Sequence, residues 1–355
     1  MSAERAAAAP APRRLSELAR WEALIFLLIV GTMVLGSGLS DEFLTGDNFS
    51  FTSADMAEIA LMALPLTLIV ITAEIDLSVA SILGLSSALM GELWVAGWPI
   101  EAIIPFCLLV GAVCGAFNAV LITRVGLPSL AVTIGTLTMY RGFALVVLGD
   151  AAVADFPESY TRYGFENVPG TIIPYPVALF GVLAIVFAVV LHKTKFGREI
   201  YAIGANQEAA FFSGVRVKRI KEILFVVSGI VAALAGVIMT LRLASARADY
   251  GTGFELTVVA AVVLGGVSIF GGKGSIVGVI LALFLLGGIR SALTLGQISQ
   301  EWVTIVTGAL LIAAVLGPNL VQRAREARAH SRDRGRSARS GSLEHRPREK
   351  RGTDE

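Results

Sequence analysis

Ten apolar stretches, each near the length that crosses a bilayer, leave this chain little choice of architecture. They run over 21–39, 56–75, 79–98, 102–124, 128–149, 171–192, 223–243, 255–270, 274–293 and 300–318. A helix needs roughly 20 mostly apolar residues to traverse about 30 Å of hydrocarbon. Several runs are rich in Gly and Ala, as close helix packing in lipid prefers. Strands of a membrane barrel would alternate apolar and polar residues in short segments, and no such alternation occurs. With 55% hydrophobic and 16% charged residues and a mean hydropathy of +0.74, an ordinary soluble domain is excluded. The expectation is an all-α polytopic membrane protein of about ten transmembrane helices.

The net charge of +1 hides a sharp segregation. Arg5, Arg13, Arg14 and Arg20 precede the first run, seven Lys or Arg lie in 193–222, and eleven lie in 322–355. Basic segments stay in the cytoplasm, so an even number of spans must separate them. Six runs precede the central segment and four follow it, so both termini are expected in the cytoplasm. The intervening loops agree: 40–55 carries Asp41, Glu42, Asp47 and Asp55 with no basic residue, and 150–170 carries Asp150, Asp155, Glu158 and Glu166 against Arg162. The expected layout is a disordered N-terminus over 1–20, a membrane domain over 21–320, and a disordered basic tail over 321–355. Such a tail can touch anionic lipid headgroups, but a solvated stop-transfer segment with no specific ligand is the favoured reading.

The central segment 193–222 holds a buildable short helix. Asn206 can cap its start, Glu208 sits in the first turn where it suits the helix dipole, and Gly214 can close its end. Between them Ala209, Ala210, Phe211, Phe212 and Ser213 place two consecutive phenylalanines outside any span. Apolar anchors at a membrane's inner face suggest a surface for another protein, although an ordinary basic loop would carry the same residues.

Two interruptions of the hydrophobic pattern fall at matching places in the two halves. Glu74, Asp76 and Ser78 join the second and third runs with almost no loop. Gly271, Gly272, Lys273, Gly274 and Ser275 join the eighth and ninth. Acidic residues this close to lipid are costly unless hydrated, paired or facing a cavity. Tight polar or Gly-rich breaks also mark the discontinuous helices of transporters. A tight turn with Ser78 or Ser275 capping the next helix is the plainer alternative.

Signs of catalysis are nearly absent. Cys107 and Cys114 share one run and suit packing. His192 lies at a span boundary, and His330 and His345 lie in the tail. No spacing suits a metal. The Gly-rich break is not a phosphate loop: Val267 stands where the first glycine is needed, and Gly274 follows the lysine. Nucleotide or nucleic-acid chemistry is therefore not expected of this chain.

Four motifs carry a resemblance over about 20–320. The run 71–80, with Ile75-Asp76-Leu77-Ser78, resembles the Gly-Ile-Asp-Leu-Ser segment of permeases in bacterial sugar ABC importers. The stretch 126–142 resembles their pattern of Pro128, Thr133, Gly135, Thr136, Arg141 and Gly142. The central segment, from Phe196-Gly197-Arg198 through Gly204 and Asn206 to Gly214, resembles their ATPase-docking loop. The stretch 260–275 is similar to their second Gly-rich signature. The family includes ribose, arabinose, xylose, rhamnose and autoinducer-2 importers.

That resemblance implies an inner-membrane permease subunit that moves a monosaccharide from periplasm to cytoplasm. It implies a second permease subunit, a tandem ATPase that binds ATP and Mg, and a periplasmic sugar-binding protein. Glu74 replaces the glycine of ribose-type relatives and, with Leu316-Gly317-Pro318-Asn319, resembles the rhamnose and autoinducer-2 branches. Rhamnose is the expected solute and autoinducer-2 the alternative. An ion-coupled secondary transporter is less well supplied, because beyond Glu74 and Asp76 the spans offer few ionisable groups. Polarity and position nominate Asn118, Thr133, Thr136, Tyr140 and Arg141 to line the solute path, or to hydrogen-bond between helices.

Overall fold

In a computed structural model, the structure describes residues 14–312 except 300, 303, 307, 310 and 311. Thirteen α-helices, and a π-helical turn Leu121–Val125 that continues the fifth, occupy most of them: α1 (Arg14–Leu39), α2 (Gly46–Asp55), α3 (Ala57–Ile71), α4 (Val79–Val95), α5 (Ile100–Val120), α6 (Ser129–Leu148), α7 (Glu158–Phe165), α8 (Tyr175–Lys193), α9 (Lys195–Ala205), α10 (Gln207–Phe212), α11 (Val217–Arg242), α12 (Phe254–Leu264) and α13 (Ile276–Leu295). Strand pairing among the described residues amounts to two isolated bridges, Val153 with Ala246 and Asn167 with Pro174. The chain is an all-α polytopic membrane protein.

Nine of the ten apolar runs coincide with a helix. The tenth, 300–318, lies largely outside the described residues, as does the tail. Among the described residues six helices are long and apolar enough to cross a membrane, or seven if α2 and α3, bent by 51° at their junction, form one span. The helices α4 and α12 are shorter. The run expected to end at residue 75 stops at Ile71 because Ala73 turns the chain at φ +63°. The run expected to reach residue 270 stops at Leu264, where Gly266 takes φ +83°. α1 begins at Arg14, inside the segment expected to be disordered. The outer segments hold α2 and α7, which the hydropathy pattern does not reveal.

All of α3 is buried, and α11 packs beside it and against α4 and α5. α5 and α11 approach to backbone contact. A Cβ on Gly111 or Gly115 of α5 would overlap the carbonyls of Gly229 or Phe225 on α11. Small residues four apart on facing helices supply this closeness in lipid, where no hydrophobic force joins apolar surfaces. α1, α6 and α8 lie outside this core, with long apolar side chains such as Leu35, Val146 and Ile185 pointing outward. Outward apolar faces on long helices are what a bilayer solvates.

Candidate functional site

The two interrupted regions and the central basic segment meet at one end of the bundle. α9 starts with Thr194, whose Oγ1 accepts from Gly197 N at 3.3 Å. It ends at Asn206, which then caps α10: Asn206 Oδ1 accepts from Ala209 N at 2.9 Å. Glu208 occupies the first turn of α10. After Ser213, Gly214 takes φ +84°, and Val215 N donates to Ala210 O at 3.1 Å. Start, first turn and stop are those expected. Ala210 anchors α10 inward, while Phe211 and Phe212 stand 65% and 85% exposed. Their rings pack edge to face, with centroids 5.7 Å apart. The two rings form an exposed aromatic patch on a helix already capped and seated.

Beneath this surface α9 rests on both breaks. A Cβ on Gly204 would overlap Ile71 O and Gly272 N. Gly272 N itself donates to Ile71 O at 2.9 Å, joining the first break to the second. Gly271 and Gly272 reach this position at φ +83° and +72°, values that a side chain disfavours. Tyr201 on α9 donates from its hydroxyl to Gly274 O at 2.7 Å. Burial pushes the Tyr201 hydroxyl up to about 12, so it remains a donor at neutral pH. Ser275 Oγ accepts from Gly278 N at 3.0 Å, capping α13, and donates to Glu22 at 2.8 Å. Lys273 is exposed.

The first break is held differently. Ser78 was expected as a possible cap, but its side chain makes no capping bond to α4. Ser78 Oγ donates instead to Asp76 Oδ1 at 2.6 Å and accepts from Asn118 Nδ2 at 2.8 Å. Asp76 is buried, and Oδ1 also accepts from Ser78 N at 3.0 Å. Its other oxygen accepts from Ser228 Oγ on α11 at 2.9 Å. Glu74 pairs with Lys221 of α11, whose ammonium also donates to Gln207 Oε1 at 2.6 Å. Sequence reasoning missed Lys221, Gln207, Tyr201 and Ser228. The available signal was their register, since Lys221 and Ser228 stand seven apart on one face of α11.

The five candidates for a solute path are all engaged inside this subunit. Asn118, Thr133, Thr136 and Tyr140 are buried. Tyr140 donates to Cys114 O at 2.9 Å, and Thr133 to Ile75 O at 3.3 Å. Thr136 reaches Thr133 O at 3.5 Å. Arg141 Nη1 donates to Ala248 O at 2.6 Å and Tyr250 O at 2.8 Å, and Nη2 to Ala80 O at 3.2 Å. These bonds link α6 to the breaks and to the outer loop after α11. Among the described residues there is no group of three or more His, Cys, Asp or Glu arranged to hold a metal.

A helical bundle with broken inner helices and lipid-facing outer ones is the architecture of a membrane transport protein. The chain belongs to the family described as branched-chain amino acid transport system/permease component, whose model matches residues 48–315. It is 34% identical over 306 residues to the autoinducer 2 import system permease protein LsrD of Klebsiella pneumoniae subsp. pneumoniae, covering 84% of this chain and 92% of that protein. It is 35% identical over 306 residues to LsrD of Photorhabdus temperata, covering 84% and 91%. For LsrD of Yersinia enterocolitica the identity is 34% over 307 residues, covering 84% and 92%. No solved structure matches. The protein is thus an ABC importer permease, a multi-pass protein of the bacterial inner membrane, and its relatives are transport subunits.

Proposed function

We propose that this permease imports autoinducer-2 or a closely similar small sugar-like solute, driven by an ATPase that docks on α10. The observation that carries the coupling is the placement of Phe211 and Phe212. They are exposed on a rigidly capped helix, and that helix adjoins the α9 surface whose backbone lies against both breaks. An ATPase gripping the two rings would act on both interruptions at once. The basic residues of 193–222 put this end in the cytoplasm.

Substrate class rests on the relatives. Three LsrD proteins matched over 84% of this chain favour autoinducer-2 over rhamnose. The family description names branched-chain amino acids, but the more similar relatives carry the narrower name. A second permease subunit, the same chain or a related one, completes the path, and a periplasmic binding protein delivers the solute. The side chains of Asn118, Thr133, Thr136, Tyr140 and Arg141 are committed to hydrogen bonds within the subunit, so the binding protein supplies most of the selectivity.

A binding screen on the cognate binding protein with autoinducer-2, L-rhamnose and D-ribose tests the solute. Tight binding of autoinducer-2 alone is expected, and tight binding of rhamnose alone would reverse the assignment. Uptake by the purified permease without its ATPase, driven by a proton or sodium gradient, would overturn the ATP-driven reading.

A further inference from the structure

Lys221 is a cation in a costly place. Its side chain is 7% exposed, in the second turn of α11. The ammonium joins three separate segments: Gln207 opens α10, Lys221 belongs to α11, and Glu74 belongs to the 74–78 break. Buried ion pairs contribute little net stability, because desolvation offsets the attraction, and apolar residues would fill such a site as well. Their best-attested use is to fix a register or set a switch.

A second observation lies beside it. Two turns along the same face, Ser228 holds Asp76 at 2.9 Å, so α11 holds the break at two points. Immediately before the break, Ala73 is held at φ +63°. A β-carbon makes that conformation unfavourable, and such residues persist only where their surroundings over-determine them. The turn itself closes locally, by Ala73 N to Val70 O at 2.9 Å and Glu74 N to Ile69 O at 3.3 Å, and the bonds from Lys221 to Glu74 and from Gly272 N to Ile71 O hold the residues on either side of it.

We infer that Lys221 is the positioning residue that couples α10 to the 74–78 break. One of its bonds goes to a group that moves with α10, and the other to a group that moves with the break. Displacement of α10 carries Gln207 away, shifts the ammonium relative to Glu74, and frees the break to move beyond the turn at Ala73. The inference rests on the reading of α10 as the ATPase-docking helix.

The test uses the whole complex of permease, ATPase and binding protein in proteoliposomes. Lys221→Met keeps the apolar stem and removes the ammonium. Glu74→Gln removes the opposite charge. The ATPase should co-purify with both at the parental ratio, since neither residue lies on the exposed face of α10. Uptake of autoinducer-2 per ATP hydrolysed should fall about tenfold. A second readout needs no solute: the half-buried Leu77→Cys, with Cys107 and Cys114 replaced by Ala, is labelled by maleimide with and without ATP and vanadate. The labelling rate should change on trapping with Lys221 present and not in Lys221→Met.

The charge-swapped pair Glu74→Lys with Lys221→Glu should recover the change, because the Gln207 amide can turn to donate. A parental response in Lys221→Met overturns the inference, and so does a swapped pair no better than the single variants. If Lys221→Met does not accumulate, Glu74→Gln carries both readouts. Failure of the parental ATPase to co-purify would strike the docking reading instead, and absence of autoinducer-2 uptake with a parental labelling response would strike only the substrate.

Discussion

Arg242, in the last turn of α11, donates from Nε to Oε1 of the fully buried Glu58 at 2.8 Å. The pair lies at the end of the bundle opposite α10. Arg242 Nη2 also stands 3.7 Å from Asp55, and Arg290 Nη1 of α13 stands 3.1 Å from the same carboxylate. Asp55 and Glu58 flank the 51° bend between α2 and α3. The bend is therefore pinned by two arginines from two other helices.

Removing one member of such a pair leaves the other charged and buried, at a cost of about 3–5 kcal/mol. Glu58→Ala should lower the unfolding temperature in detergent substantially. Glu58→Leu with Arg242→Met should recover most of the loss, because no orphan charge remains. Thermal unfolding of the parent and the two variants measures this. A double variant as unstable as Glu58→Ala would show that shape, and not charge, holds the bend.

The docking on α10 proposed above makes its own prediction. Replacing Phe211 and Phe212 by Ala removes exposed rings without touching the buried core, so insertion and folding should be normal. If the rings fill pockets on the ATPase, the loss at a well-packed site is about 3–5 kcal/mol, enough to abolish co-purification. Pull-down of the ATPase and solute uptake are the measurements. Full co-purification with normal uptake would refute the docking role.

Gly204→Ala tests the meeting of α9 with the breaks. Its new methyl would overlap Ile71 O and Gly272 N, both backbone atoms, so no side chain can swing aside. The variant should accumulate poorly or lose uptake by tenfold or more, roughly the effect of a 1–3 kcal/mol overpacking strain. Gly181→Ala on α8 meets nothing within 4 Å and should behave as the parent. Equal tolerance at both positions would mean that α9 does not bear on the breaks.

How much of this was readable before any coordinates depended on range. Asn206, Glu208 and Gly214 act on neighbours within one turn, so the limits of α10 follow from residue type alone. Hydropathy located nine helices, because a span must be apolar along its whole length. It overran at Ala73 and Gly266, where backbone reversal and not polarity ends the helix. The bond of Ser78 to Asp76 displaced the expected cap, since a buried carboxylate competes for a hydroxyl donor. Lys221 read as one more basic loop residue until α11 was seen to begin at Val217. The buried Arg242–Glu58 pair spans 184 positions of sequence, and no local pattern announces it.

Sidedness is the last expectation, and it follows from charge. The basic segment 193–222 belongs in the cytoplasm, and in the structure it shares one end of the bundle with Glu22, both breaks and α10. Gly46, at the start of α2 and exposed, lies with the acidic loops toward the other end. With Cys107 and Cys114 replaced by Ala, a cysteine at Gly46 should react with a membrane-impermeant maleimide added to spheroplasts. A cysteine at the exposed Arg198 of α9 should react only after the membrane is opened. Because α10 follows α9 directly, the same result fixes which compartment the ATPase must occupy. Labelling at Arg198 and protection at Gly46 would invert the topology and remove α10 from any cytoplasmic partner.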